Sequence, residues 1–274
     1  MMHTVNVVKI KEECFGVKTI FFKINLQKPK PGQFLMVWVP GIDEIPMSVS
    51  GWDKNDYWSV TVKNVGECTK HLSEVKIDDY IGIRGPLGNN FTIPKDTSKK
   101  ILLIGGGTGM APLKFLAEEL MHQKRTFTFI EGAKSENQVI FKDALQINKK
   151  VPNELIFCTD DGSFGIKAFA PKVLKDYVAK LSNTNNGNLI IYTCGPEIMM
   201  YKVYEICKEF NLKLQASLER VMRCGCGICG LCAVDPLGLL VCKDGPIFSY
   251  DQLEKMEDCG KYKRDFTGKK IKIE

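Results

Sequence analysis

Five cysteines fall within nineteen residues, in the run CGCGICGLCAVDPLGLLVC from Cys224 to Cys242. Thiolates at such spacing bind zinc or iron. Structural zinc sites usually pair two C-x2-C knuckles, and Cys242 has no partner in its own neighbourhood. A [4Fe-4S] run beginning at Cys226, Cys229 and Cys232 needs its fourth cysteine at position 236, which is Pro236. Cys224, Cys229, Cys232 and Cys242 give C-x4-C-x2-C-x9-C, which matches the plant-type [2Fe-2S] arrangement. Gly225, Gly227 and Gly230 let the loop curl and turn backbone amides toward the cluster sulfurs.

A second chemistry is carried by glycines. ILLIGGGTGMAPL is an apolar strand running through Gly105, Gly107, Thr108 and Gly109 into a helix, so amides and the positive dipole end face whatever sits on the turn. A pyrophosphate suits that place, although the spacing departs from G-x-G-x-x-G and also fits a tight turn with no ligand. Glu131 ends the next strand, where an acid would accept hydrogen bonds from an adenosine ribose and favour NADH. It also fits an exposed strand-end carboxylate, and Lys134 with Ser135 could accommodate a phosphate. YTCGPEIMM places Cys194, Gly195 and Pro196 at the C-terminal edge of a later strand, and TDDGSFG occupies the same edge of another. Ligands of open α/β sheets bind at that edge, but Cys-Gly-Pro is equally a way into a helix.

The elements needed to position these groups can be read in order. TVNVVKI, TIFFKI, QFLMVWV, MSVSGW and YWSVTVKNV are short β-rich runs separated by turn formers, the pattern of a small antiparallel barrel. GPLGNNFTIPKDTSKK collects turn formers and charge and marks a boundary. From Lys100, strands alternate with helices expected at Ala111 to His122, Gln138 to Leu145, Lys167 to Leu181 and Glu197 to Phe210. That alternation implies a doubly wound parallel sheet. NTNNGN, at 183–188, reads as a surface turn. The fold class expected is β plus α/β, with an N-terminal antiparallel barrel at 1–96, a parallel-sheet domain at 97–217 and a small C-terminal cluster subdomain at 218–274.

Composition limits the function classes. At 44% hydrophobic and 26% charged residues the chain is not a disordered one. The net charge of +6 is mild, and much of it sits in the tail KYKRDFTGKKIKIE, whose lysines are expected to be solvated; nucleic-acid binding is not indicated. No apolar run reaches the roughly 18 residues of a membrane span, and MMHTVNVVKIKEEC lacks a signal-peptide layout, so a cytoplasmic protein is expected. Cys14, Cys158, Cys207 and Cys259 are expected to be inert. His3, His71 and His122 lie in no motif, so acid–base chemistry on a carbon skeleton is not expected of this chain.

Taken in order, P-x-S-x-S at 46–50, G-x-x-T at 66–69, GPLGN at 85–89, GGGTGMAPL at 105–113, TDDGS at 159–163 and CGPEIMM at 194–200 resemble the ferredoxin reductase superfamily. With the cysteine run and VCKDGPIF added, the chain is most similar to the electron-transfer subunits of type B dihydroorotate dehydrogenase. The resemblance implies FAD on the barrel, with Pro46, Met47 and Ser48 along the flavin, Thr61, Val62 and Lys63 on the following strand, and Cys68 with Thr69 at the pyrophosphate. It implies NAD on the second domain, with Cys194, Gly195 and Pro196 near the nicotinamide. It also makes Cys226 a spectator beside the [2Fe-2S] ligands. One departure stands out: the arginine that usually precedes Pro46 is Ile45, leaving Lys63 or Lys70 to meet a phosphate. By the same resemblance the partner is an FMN-containing catalytic subunit, in a heterotetramer with two of each chain, and the activity belongs to pyrimidine biosynthesis. Related subunits of a sulfide dehydrogenase, an NADH–ferredoxin transhydrogenase or a hydrogenase are the alternatives within the redox class; a non-redox nucleotide or cluster sensor is the alternative outside it.

Overall fold

The computed structural model describes residues 1–142, 153–181 and 188–273. Strands β1 (His3–Cys14), β2 (Val17–Lys23), β3 (Phe34–Val39), β4 (Asp43–Trp52) and β5 (Tyr57–Lys63) are followed by helix α1 (Glu67–Glu74) and strand β6 (Tyr80–Leu87). They close into an antiparallel barrel in the order β1-β2-β5-β4-β3-β6. Side-chain alternation turns Phe22, Leu35, Val37, Trp58, Val60 and Ile83 inward, where all are fully buried.

Strand β6 is absent from the sequence expectation, which begins a boundary at Gly85, inside it. YIGIRGPL carries two glycines and a proline, and these hide the alternation. The strand forms because Ile81 and Ile83 fill the space between β1 and β3. Gly82 yields its side-chain space to Trp38, whose ring would lie 2.8 Å from a Cβ there.

The second unit runs β7 (Lys100–Gly106), a 3-10 turn at Gly107–Gly109, α2 (Met110–His122), β8 (Thr128–Ala133), β9 (Glu154–Thr159) and β10 (Ile166–Lys167). It continues with α3 (Ala170–Leu181), β11 (Leu189–Cys194), α4 (Glu197–Glu209) and β12 (Lys213–Ser217). The expected parallel sheet is present, ordered β10-β9-β8-β7-β11-β12. Helix α3 starts at Ala170 rather than at Lys167, because Ile166 and Lys167 pair with β9 instead. The helix expected at Gln138 to Leu145 runs outside the described residues; its described beginning is a 3-10 turn at Glu136–Gln138, with Phe141 at φ 58°. The turn expected at 183–188 lies almost wholly outside them too.

The C-terminal residues form hairpin β13 (Ala233–Val234) with β14 (Leu239–Leu240), then β15 (Ile247–Ser249), α5 (Tyr250–Glu254) and hairpin β16 (Tyr262–Arg264) with β17 (Lys270–Lys272). Strand β15 joins the large sheet antiparallel to β12, and Val241 and Phe248 share one apolar core with Leu102 and Val203. The tail corrects an expectation: its charges are not simply solvated. Arg264 reaches Asp235 at 2.7 Å, and Lys270 pairs with Asp235 at 3.1 Å and Asp258 at 2.5 Å.

Two contacts orient the units. Phe115 of α2 packs into the barrel core, and Lys114 Nζ donates to the Ser50 carbonyl of β4 at 3.2 Å. Asn89, from GPLGN, staples the C-terminal segment: its amide nitrogen donates to the carbonyls of Asp244 and Ile247, both at 2.8 Å, and its oxygen accepts the Ile247 N–H at 2.9 Å. Among the described residues no helix is long and apolar enough to cross a membrane.

Candidate functional site

Gly106 at the end of β7, with Gly107 and Thr108 of the 3-10 turn that leads into α2, lines a cleft of 680 Å³ between the sheet and the barrel. Lys63, Lys134 and Lys202 line it too, against the single carboxylate of Asp160 among the described lining residues. Helix amides and three ammonium groups suit a pyrophosphate. The glycines also serve the protein itself. A Cβ on Gly105 would lie 2.6 Å from the Cys194 carbonyl, and one on Gly109 would overlap the Gly195 backbone, so the two turns touch main chain to main chain.

Cys194 and Gly195 form the floor of this junction rather than its lining, whereas Pro196 lines the cleft. Cys194 is 2% exposed and faces the Ser217 hydroxyl and the Gly195 amide. Burial first, and the Glu219 charge second, push its thiol up, so it stays protonated and is no nucleophile at neutral pH.

The Glu131 side chain is turned into the protein. It is 1% exposed; Oε1 accepts the Ile140 N–H at 2.7 Å, and Oε2 is buried with no hydrogen-bond partner among the described residues. Burial pushes its carboxyl up to about 8, against the Ile140 amide and Lys142. The carboxylate is thus drawn into the protein by a backbone amide that sequence could not place. From TDDGS, Asp160 lines the cleft, while Ser163 Oγ accepts the Glu136 N–H at 2.7 Å and donates to Asp161.

A second cleft, of 260 Å³, is lined by Pro46, Met47 and Ser48 of β4, Thr61 and Lys63 of β5, and Thr69 of α1. Thr108, Ala111, Leu218, Glu219, Arg220 and Met222 line it too. Apolar walls with the Lys63 ammonium on one side and the Glu219 carboxylate on the other fit a flat ring system. The other expected flavin residues fall elsewhere. Val62 is fully buried in the barrel core, and the Cys68 thiol turns to the Asp43 carbonyl at 3.7 Å. Thr69 Oγ1 accepts the Val65 and Gly66 amides at 3.0 and 2.9 Å, so its hydroxyl caps α1. Ile45 is half-buried against the barrel core, and of the two lysines expected to compensate for it, Lys63 lines the cleft and Lys70 does not. Lys63 and Thr108 line both clefts, which therefore meet at these two residues.

After β12 the chain enters the cysteine loop. Gly225, Gly227 and Gly230 have φ of 66°, 84° and 72°, the left-handed region that the expected curl requires. The amides of Ile228 and Cys229 point at Cys224 Sγ at 3.3 and 3.5 Å, and that of Cys242 at Cys232 Sγ at 3.4 Å. The Cys229 thiol influences that of Cys224, and the Cys232 thiol, with Cys224 behind it, influences that of Cys242. Burial opposes ionisation of Cys224, but the amides of Cys229, Cys226 and Ile228 outweigh it and draw the thiol down to about 6. Burial, then the neighbouring Cys232, pushes Cys242 up to about 12. Among the described residues no three His, Cys, Asp or Glu side chains approach closely enough to hold one ion. A [2Fe-2S] cluster takes four cysteine thiolates, and Cys224, Cys229, Cys232 and Cys242 lie on this one segment. Cys226 is exposed, and its amide faces the Cys224 thiol.

Sequence reasoning missed Glu219 and Arg220. Arg220 gives Nη1 and Nη2 to Glu197 at 2.6 and 2.9 Å, with its own side chain 2% exposed. Glu197 is the first residue of α4, so this pair ties the Cys-Gly-Pro turn to the stalk of the cysteine loop. Glu219 opens onto the second cleft; the protein walls, then the Glu197 charge, raise its carboxyl. The available signal was position: SLERVMRC follows β12 at the sheet edge where ligands gather.

Two family descriptions match the chain: an iron-sulfur cluster binding domain of dihydroorotate dehydrogenase B over residues 219–254, and an oxidoreductase NAD-binding domain over residues 103–205. The chain is 47% identical to a probable dihydroorotate dehydrogenase B (NAD(+)) electron transfer subunit of Methanocaldococcus jannaschii, covering 96% of this chain and 95% of that one. It is 37% identical to the protein of the same description from Pyrococcus furiosus, covering 98% of each. Among solved structures, that of an NADH-dependent reduced ferredoxin-NADP oxidoreductase superposes with a TM-score of 0.77 at 29% identity, over 90% of this chain and 88% of that one. Ferredoxin-NADP+ reductase from Plasmodium falciparum shares the fold, with a TM-score of 0.61 at 20% identity over 75% of this chain and 89% of that one.

Proposed function

The chain belongs to the family of dihydroorotate dehydrogenase B electron transfer subunits, and on that premise we propose that it carries electrons from the FMN of a catalytic dihydroorotate dehydrogenase subunit, through a [2Fe-2S] cluster and FAD, to NAD+ in pyrimidine biosynthesis. The observation that carries this reading is the meeting of the two clefts at Lys63 and Thr108. A nicotinamide in one and a flavin ring in the other would come together there. FAD, when bound, supplies the exchange between a two-electron hydride and one-electron transfers.

The residues divide the work. Pro46, Met47 and Ser48 hold the flavin from β4, Thr61 and Lys63 from β5, and the backbone around Cys68 and Thr69 meets its phosphates. Gly107, Thr108, Lys134 and Lys202 take the dinucleotide pyrophosphate, while Gly105, Gly109, Gly195 and Pro196 shape the turns beneath it. Cys194 remains a thiol under the nicotinamide and fixes the floor of the hydride path. Cys224, Cys229, Cys232 and Cys242 hold the cluster. The corresponding units are 1–96 for FAD, 97–217 for NAD and 218–274 for the cluster, in a cytoplasmic heterotetramer with two of each chain. The higher identity to dihydroorotate dehydrogenase B subunits than to the ferredoxin-NADP oxidoreductase favours this partner over a transhydrogenase-type one.

The test is co-expression with the catalytic subunit. The pair should co-elute, and NADH should bleach the bound flavin and then raise the reduced-cluster EPR signal. Separate elution of the two chains, or flavin bleaching that never reaches a cluster, defeats the reading.

A further inference from the structure

Arg84 of β6 stands directly across from Met36 of β3, and Met36 directly across from Pro46 of β4. One cross-strand ladder therefore runs from the strand lining the second cleft to Arg84. Nη1 of Arg84 donates to the Cys224 carbonyl at 2.8 Å, while Nε and Nη2 grip the two carboxylate oxygens of Glu44 at 3.0 and 2.8 Å. Met36 makes the adjoining contact, since a Cβ on Gly225 would lie 2.8 Å from its side chain. The planar guanidinium is thus spent on both sides at once, clamping β4 two residues before Pro46 and the backbone of the first loop cysteine.

We propose that Arg84 is a positioning residue for the iron–sulfur cluster, holding the Cys224 end of the loop at a fixed separation from the flavin strand and, with Glu44, setting the local charge that tunes the cluster's reduction potential. The proposal rests on the reading of Cys224, Cys229, Cys232 and Cys242 as ligands. Reduction adds one negative charge to a cluster. A guanidinium touching the loop stabilises that charge, and the Glu44 carboxylate behind it opposes. Arg84→Met leaves Glu44 uncompensated and must lower the potential. Glu44→Gln leaves the arginine uncompensated and must raise it. Loss of loop packing alone has no reason to produce opposite signs.

The experiment uses the co-expressed complex, purified without oxygen, with iron content and an EPR-monitored redox titration as readouts. Arg84→Met is expected to shift the reduction equilibrium about tenfold toward the oxidised cluster, about 59 mV for one electron, and Glu44→Gln to shift it the other way. Arg84→Lys, which keeps the charge without the fork, is expected to restore the potential but leave cluster reduction after NADH mixing slower than wild type, with the flavin step unchanged. Unchanged potentials, or shifts of one sign in both variants, overturn the proposal. Should Arg84→Met fail to retain iron, the sign in Glu44→Gln still decides. Absence of iron from the wild-type complex overturns the ligand assignment instead.

Discussion

Replacing Arg220 by methionine keeps an unbranched apolar stem and removes the guanidinium alone. In the folded chain that group gives Nη1 and Nη2 to Glu197 at 2.6 and 2.9 Å, and Glu197 also accepts the Gly260 N–H at 3.1 Å. The side chains are 2% and 11% exposed, so little water can replace the arginine. Removing one partner of a buried pair costs about 3–5 kcal/mol, because the other charge stays behind. Glu197 keeps the Gly260 amide, which places the expected loss near the lower end, about 3 kcal/mol. The assay is urea unfolding followed by circular dichroism, with the loss taken from the shift in midpoint at common slope. Arg220→Met with Glu197→Gln removes both charges and should recover at least half of the loss. A single variant within about 1 kcal/mol of wild type, the worth of an exposed pair, refutes the reasoning. So does a double variant no more stable than the single one.

Cys226→Ser should leave the visible spectrum and iron content of the anaerobic protein unchanged, whereas Cys229→Ser should abolish the cluster spectrum; equal effects would dissolve the distinction between bystander and ligand. Asn89→Ala removes three side-chain hydrogen bonds to Asp244 and Ile247, at about 1 kcal/mol each, so urea unfolding should show a loss of about 2–3 kcal/mol; a loss under 1 would mean the staple is idle. For Glu131, the native carboxyl is raised from 4.5 to about 8 by burial. Its contribution to stability is fully present below 4.5 and is lost as pH rises through about 8, because the unfolded chain sheds a proton that the native state keeps, at about 1.4 kcal/mol per pH unit. Urea midpoints across that window should fall in wild type and flatten in Glu131→Gln; parallel profiles would contradict the assignment.

Much of the fold was legible because its signals are local. Five of the six barrel strands alternate or run apolar within six to twelve residues, and β7, β8 and β11 with helices α2, α3 and α4 carry apolar runs or faces. Strand β6 was illegible since Gly82, Gly85 and Pro86 interrupt it, and only the gap between β1 and β3 makes it a strand. The site divided the same way. The glycine turn and the cysteine spacing are short-range patterns. The exposed strand-end reading of Glu131 is overturned by its burial, because where a carboxylate settles depends on which amide reaches it, here Ile140, nine residues away. Thr69 lines the second cleft while its hydroxyl accepts the amides of its own helix start, a cap that sequence does not distinguish from a phosphate contact.

What the sequence by itself determined is therefore the chemistry and its order along the chain: thiols at the spacing of a four-cysteine cluster, glycines where main chains must touch, and elements whose hydrophobic period tells strand from helix. Those properties belong to residues a few positions apart. Only the tertiary structure decided where the charges went. Arg84 meets Cys224 across 140 residues. Arg220 meets Glu197 across 23. No periodicity records such pairings, because a long charged side chain selects its partner from whatever the folded core brings within reach. Lys63 is the simplest case: read as one residue of a flavin strand, it stands in the structure where two clefts become one.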